Sequence, residues 1–196
     1  MAIKFQYNKI SLQEMQKHLK VRLDALPVIK YKEAILRAEA EKAKKKMIEL
    51  EKNILNKISQ YEYMNMLWQE FPRDVIMVSE IKTTRKNIAG VKTPQFENVE
   101  FELKPLCLFN HPLWISEGIE LLKELVQLSI EKELLSIRTA LLDAARKKTT
   151  QKVNLYEKVQ VPEYLVAISK IKKFMNDEES LGKATQKIMK KRILSI

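Results

Sequence analysis

From Ser11 onward the apolar residues return at steps of three and four, the spacing of one face of an α-helix. Leu12, Met15, Leu19, Leu23 and Leu26 make a first stripe, and Leu36, Ala40, Ala43, Met47, Leu50, Ile54, Ile58, Tyr61 and Met64 make a second. A stripe this narrow cannot bury itself; it has the form of a coiled-coil seam and asks for a partner helix. Alanines at two successive seam positions, Ala40 and Ala43, would let that partner come close. Ser11 with Glu14 three residues later has the capping-box arrangement, so the helix is expected to begin at Ser11 and to run to about Phe71. Pro27 lies inside it and, lacking a backbone donor and crowding the preceding turn, is expected to kink or interrupt it.

The same language returns in the last third of the chain. From about Leu113 or Ser116 to near Lys191 one seam carries Ile130, Leu134, Ile137, Leu141 and Ala144, and Val161, Leu165, Ile168, Ile171 and Met175 resume it. Between them, from Lys147 to Asn154, the stripe carries Lys148 and Gln151, a polar break followed by Pro162. Two narrow-striped helices are most economically buried against each other, antiparallel, with the intervening segment as the connection. At roughly 1.5 Å per residue, about sixty helical residues would span about 90 Å, more than a compact domain needs, so an elongated rod is expected. The alternative is a compact bundle broken at Pro27 and Pro162.

The middle of the chain reads differently, because four of the six prolines fall between Pro72 and Pro112, together with Gly90. Val99-Glu100-Phe101-Glu102-Leu103 alternates with the two-residue period of a half-exposed strand. Ile88-Ala89-Gly90-Val91 is its expected partner, with Thr93-Pro94-Gln95 in the turn or at the edge. So short a pair is marginally stable alone and is expected to lean on the helices or on another subunit. Leu106, Cys107, Leu108 and Phe109 form an apolar loop, either buried or a contact surface. The expected architecture is therefore all-α, a long antiparallel two-helix coiled coil with a small central β-hairpin. Residues 1–71 form the first helix, 72–112 the central segment and 113–196 the second helix.

Composition agrees and excludes several classes. In 196 residues, 45% apolar and 31% charged, three glycines leave little turn chemistry for a many-element fold. A single cysteine, Cys107, forms no internal disulfide and points to a reducing compartment. The N-terminus mixes Lys4, Gln6, Asn8 and Lys9 with apolar residues, unlike a secretory signal, and no stretch of about 18 apolar residues suggests a membrane span. The net charge of +11 and pI near 9.6 raise nucleic-acid binding. The lysines, however, alternate with glutamates along helices, and no stacking platform, zinc-finger spacing or RNP motif accompanies them.

Catalytic and cofactor chemistry find no footing. Three dispersed glycines build no phosphate loop, and His18 and His111 stand far apart with no ligand-spaced partner. Glu178 and Glu179 read as solvated charge. The chain is expected to be no enzyme by itself, with no cofactor, no metal and no direct nucleotide binding.

Three segments carry a family resemblance. Thr149-Thr150-Gln151-Lys152-Val153-Asn154-Leu155, with Glu157 and Val161-Pro162, resembles the Arg-Thr-x-Gln-Lys-Val-Asn-x-Leu-Glu stretch and following Ile-Pro of the D subunits of the V-type and A-type rotary ATPases. Asn87 to Glu97, with Gly90, Val91 and Pro94, is similar to that family's Asn-x-x-Gly-Val-x-x-Pro element, and the Leu- and Lys-rich opening helix around Leu12, Leu19, Leu26 and Lys30 is a weaker match. Tyr156, Pro27 and the apolar loop from Pro105 to Pro112 depart from the family pattern; Arg146 precedes the motif where Lys147 and Lys148 stand.

The resemblance implies a central-stalk rotor component that transmits torque between the catalytic hexamer and the membrane ion-translocating ring. Its partners would be that hexamer, the small F subunit of the rotor and the socket subunit on the membrane ring, at the cytoplasmic face and without membrane insertion. The basic run Lys187, Lys190, Lys191 and Arg192 is expected to meet carboxylates lining the hexamer bore, and Gln151 and Asn154 to fix helix register as buried polar residues do. Arg146, Thr150, Lys152, Glu157 and Pro162 complete the candidate contact residues, with Asn87, Gly90, Val91 and Pro94 in the central element. The competing readings are a non-rotary coiled-coil adaptor and a nucleic-acid-binding coiled-coil protein.

Overall fold

The structure is a computed structural model that describes residues 4–72, 75–104, 112 and 114–194. It is mostly helical with one two-stranded antiparallel sheet. Helix α1 spans Lys9–Gln60, strands β1 and β2 span Ile76–Ile88 and Val91–Leu103, helix α2 spans Trp114–Asn154, and helix α3 spans Val161–Leu194. A π-helical turn, Leu155–Gln160, joins α2 to α3. The apolar loop at 106–109 and His111 lie outside the described residues.

Two compact units are resolved, one of residues 1–33 with 148–196 and one of residues 34–147. In the first, α1 begins two residues before Ser11. The cap is Asn8, whose Oδ1 accepts the Ser11 N–H at 2.7 Å, while the Ser11 hydroxyl accepts the Gln6 N–H at 3.3 Å. Ser11 is therefore inside the first turn, a correction to its expected role as cap. Pro27 does not interrupt α1, which is continuous for 52 residues. The carbonyl that loses its donor belongs to Leu23, and Leu23 and Pro27 are both exposed, so water can satisfy it.

Met15 packs with Tyr164, Ile168 and Ile171, and Phe5, Leu12, Leu19 and Met175 close around them. The first apolar stripe is thus packed as expected up to Leu19, while Leu23 is 48% exposed. Phe5 stacks edge-on against Tyr7, and Tyr7 meets Phe174 at 4.9 Å. Beyond Met175, every side chain from Asn176 to Ile193 is exposed.

In the second unit α1 and α2 run antiparallel, as the ladder of cross-helix ion pairs shows. Lys44 meets Asp143 at 2.7 Å, Lys46 meets Glu131 at 2.7 Å, Glu51 meets Lys132 at 2.8 Å, and Lys57 pairs with Glu124. Leu36 and Leu142 are fully buried in one cluster with Ala40 and Ile88; Ala43, Leu50 and Leu135 form another. The α1 seam is placed as expected from Leu36 to Leu50. On α2 the packed face is shifted by one residue: Leu135 and Leu142 are buried, whereas the expected Leu141 and Ile137 are 41% and 44% exposed. The polar Thr139 shares the buried face, its hydroxyl donating to the Leu135 carbonyl at 2.7 Å.

Helix α1 stops at Gln60, earlier than the expected Phe71, and gives way to 3-10 turns at Glu62–Met64 and Leu67–Glu70. These turns swing Trp68 and Phe71 onto Trp114, with ring centroids 5.2 to 6.1 Å apart. The three rings close over Gly118, where a Cβ would approach Phe71 and Trp68 to 3.4 Å.

The hairpin is longer than the sequence suggested. Each strand has 13 residues, with bulges between Val78 and Glu80 and between Lys82 and Thr83. The turn is Ala89-Gly90, both at positive φ (48° and 83°), the two-residue primed turn that matches the twist of the strands. Ile88 and Val91 therefore pair with each other across the turn, and Thr93-Pro94-Gln95 belong to β2. The tip residues Ile88, Ala89 and Val91 pack on Leu36, Ala40 and Leu142, so the hairpin leans on the helices as a marginal two-stranded sheet must.

Candidate functional site

The candidate residues fall in three places. In the hairpin tip, Gly90 supplies the left-handed turn, Val91 is half-buried against the helix cluster and Asn87 is exposed opposite Lys92. Pro94, half-buried in β2, faces Arg85 across the sheet; a two-stranded sheet has only edge strands, where the missing proline donor is tolerated.

The second place is the polar stretch around the end of α2. Arg146 lies 3.4 Å from Asp143, which also receives Lys44. Hydrogen bonding from Lys44 is the main reason the Asp143 carboxyl is held below the usual aspartate range; burial opposes it, and the Lys44, Arg146 and Lys147 charges add to the lowering. Further along, Thr149 is buried, and Thr150 donates its hydroxyl to Glu33 at 3.2 Å. Gln151, Lys152 and Asn154 are exposed. The expectation that Gln151 and Asn154 set register as buried polar residues is thus corrected: the helix face turned toward α1 carries Thr149 and Thr150, two and one positions earlier than Gln151. Exposed in this chain, Gln151, Lys152 and Asn154 are open to contact from outside it.

The π turn follows, tied down by the candidate residue Glu157 and by Arg22, Gln160 and Tyr164, which sequence reasoning missed. Glu157 pairs with Lys30 at 2.8 Å, and Gln160 Oε1 accepts from Arg22 Nε at 2.6 Å. The Arg22 guanidinium also lies 4.5 Å from the centre of the Tyr164 ring, a cation–π contact. Arg22 and Lys30 are eight residues apart on α1, two turns of one face, and that spacing was legible; what it faced was not. Pro162 is exposed and stands second in α3.

The third place is the end of α3. Lys190, Lys191 and Arg192 are exposed there, beside exposed Leu181, Ile188, Met189 and Ile193. One intrahelical pair, Glu179 with Lys183 at 2.6 Å, holds the Glu179 carboxyl below its ordinary range through hydrogen bonding and charge.

No group of three or more His, Cys, Asp or Glu side chains suited to a metal ion occurs among the described residues, and none of their helices is long and apolar enough to cross a membrane. What the arrangement offers is contact surface: a charged helix pair, a hairpin docked by its tip, and an exposed basic and apolar helix end.

Comparison with known proteins assigns that surface to a class. The chain matches the family of ATP synthase D subunits over residues 11–191. It is 31% identical to the V-type ATP synthase D subunit of Borreliella burgdorferi over 199 residues, covering 97% of this chain and 96% of that one. It is 27% identical to the V-type ATP synthase D subunit of Chlamydia pneumoniae, over 98% and 95% of the two chains. The chain belongs to the ATP synthase D-subunit family, the central-stalk components of rotary ATPases.

Proposed function

We propose that this chain is the rotor shaft of a V-type ATPase, itself non-catalytic, carrying torque between the catalytic hexamer and the membrane ion-translocating ring. The observation that carries this reading is the exposed end of α3. From Asn176 to Ile193 the helix has no cover among the described residues, yet it presents Leu181, Ile188, Met189 and Ile193 along with Lys187, Lys190, Lys191 and Arg192. Apolar side chains left bare on a helix that is also basic suit insertion into a collar formed by other chains, with carboxylates meeting the cations.

In this reading the antiparallel helices supercoil, residues 1–71 and 113–196 acting as the shaft and residues 72–112 as the part that meets the small F subunit and the socket subunit of the ring. Torsional load would be borne by the buried seam of Leu36, Ala40, Leu135 and Leu142. Ion pairs on the outside, each contributing about 0 to 1 kcal/mol, would let the surface slide against a bearing without locking. The complex would work at the cytoplasmic face of the membrane. The adaptor and nucleic-acid readings leave the family match unused.

The test is replacement of Lys187, Lys190, Lys191 and Arg192 by Gln, with assembly onto the catalytic hexamer followed against salt. Weaker assembly with a flatter salt dependence supports the reading, because screening acts on charge pairs that the variant no longer makes. Assembly with unchanged salt dependence argues against it.

A further inference from the structure

Beside the hairpin tip, strand and helix do not close on each other. A cavity of about 140 Å³ remains between β1 and β2 on one side and the two helices on the other. Its polar lining comes from Lys86 of β1, Gln95 of β2, Lys46 of α1, and Glu131 and Arg138 of α2. All five belong to the unit of residues 34–147.

The charges in this cavity do not balance within the chain. Lys46 is satisfied by Glu131 at 2.7 Å. Arg138 reaches Glu39 through Nη2 at 3.3 Å, but Glu39 is shared with Lys42, also at 3.3 Å. The Nε of Arg138 is buried and has no hydrogen-bond partner among the described residues. Lys86 makes no ion pair among the described residues, and Glu100 on the facing strand is already taken by Lys82. For Arg138 that leaves the Nη2 contact with Glu39 as its ion pair among the described residues. The cavity far exceeds the roughly 10 to 15 Å³ that one water needs, and Lys86 lines it from the strand side and Arg138 from the helix side.

We propose that this cavity binds a free tetrahedral oxyanion of the size of inorganic phosphate. Arg138 and Lys86 hold it by charge-assisted hydrogen bonds, and the Gln95 amide donates a further one. The guanidinium fork suits an oxyanion's geometry, and the ammonium of Lys86 adds a point charge from the opposite wall. Because Lys86 and Gln95 belong to the hairpin while Arg138 belongs to α2, a bound anion joins the two and fastens the hairpin to the helix pair. The site rests on this geometry and does not depend on the stalk reading. The same chemistry is carried by the terminal phosphate of a nucleotide, but 140 Å³ has no room for a nucleoside.

The test is a 31P NMR titration of inorganic phosphate into the full chain, with chloride holding ionic strength constant, and a parallel thermal-shift series. The expected result is saturable line broadening and a rise in melting temperature that chloride does not reproduce. Lys86→Gln, an exposed position whose folding near-UV circular dichroism would check, weakens binding by about tenfold or more, as does Arg138→Lys. Lys183→Gln, which lines no part of the cavity, leaves it unchanged. Broadening that never saturates, or equal affinity in Lys86→Gln, overturns the proposal and leaves the cavity to water. Tighter binding of ADP than of phosphate would overturn the free-ion assignment in favour of a nucleotide.

Discussion

The backbone N–H of Val161 donates to the carbonyl of Tyr156, five residues back in place of the four of an α-helix. Pro162 comes next, and in an unbroken α-helix it would deny a donor to the Lys158 carbonyl while its ring pressed on that group. The extra residue of the π turn moves the strain away. Pro162 stands second in α3, directly after the wide turn, and its fixed φ is already helical. Lys30 and Arg22 then hold the turn through Glu157 and Gln160.

Deletion of exposed Lys158 should convert the turn to α-helix without moving Tyr164, Ile168 or Ile171 out of register with Met15, since one residue is what the π turn absorbs. The regular helix then places Pro162 in an interior. Chemical denaturation should show the deletion alone less stable than the deletion combined with Pro162→Ala by about 3 kcal/mol. Equal stabilities would mean that the proline does not hold the turn.

The one-residue shift of the α2 face gives a sharp comparison. Leu142→Ala, at a fully buried site, should cost about 2 to 5 kcal/mol in urea unfolding, while Leu141→Ala, 41% exposed, should cost under about 1 kcal/mol. The reverse ranking would place the seam where the sequence pattern first suggests it.

Gly90 holds φ at 83° in the hairpin turn. Gly90→Ala should destabilise the turn by about 1 to 2 kcal/mol, read as faster amide exchange in β1 and β2 with α1 and α2 little changed. Exchange unchanged in the hairpin would contradict the turn geometry.

For Asp143 the sign of the pH effect follows from its lowered folded-state pKa. The stabilisation it contributes is present above its unfolded value, about 3.9, and is lost as pH falls through the folded value. Asp143→Asn should therefore be less stable than the parent at pH 7, by less than about 1 kcal/mol because the pair is partly solvated, and the gap should close as pH falls through the lowered folded-state value. A gap independent of pH would assign the effect to packing.

Helix positions on α1 were legible because single apolar residues marked one face, as at Leu36, Ala40 and Ala43. On α2 the doublets Leu134-Leu135 and Leu141-Leu142 fit two faces equally, and only contact with α1 selects between them. The Ala89-Gly90 turn was hidden because Ala89 adopts a φ that alanine rarely does, its backbone held by the tip packing on Leu36 and Leu142. In the polar stretch the sequence could not say which polar residues face inward, because Gln151 and Asn154 look as suited to a buried seam as Thr149 and Thr150 do. The exposed α3 terminus carried a readable basic run, though nothing local could reveal that its apolar residues lack cover among the described residues.

The central claim, that this chain is the shaft of a rotary ATPase, is met most directly by purifying the tagged full chain from its own cells at moderate salt. Its companions would be identified by mass spectrometry and ATPase activity assayed in the eluate. The account predicts recovery of the two large catalytic subunits and a small rotor subunit, with ATP hydrolysis. Recovery of the chain without them, or with nucleic acid in their place, would contradict it.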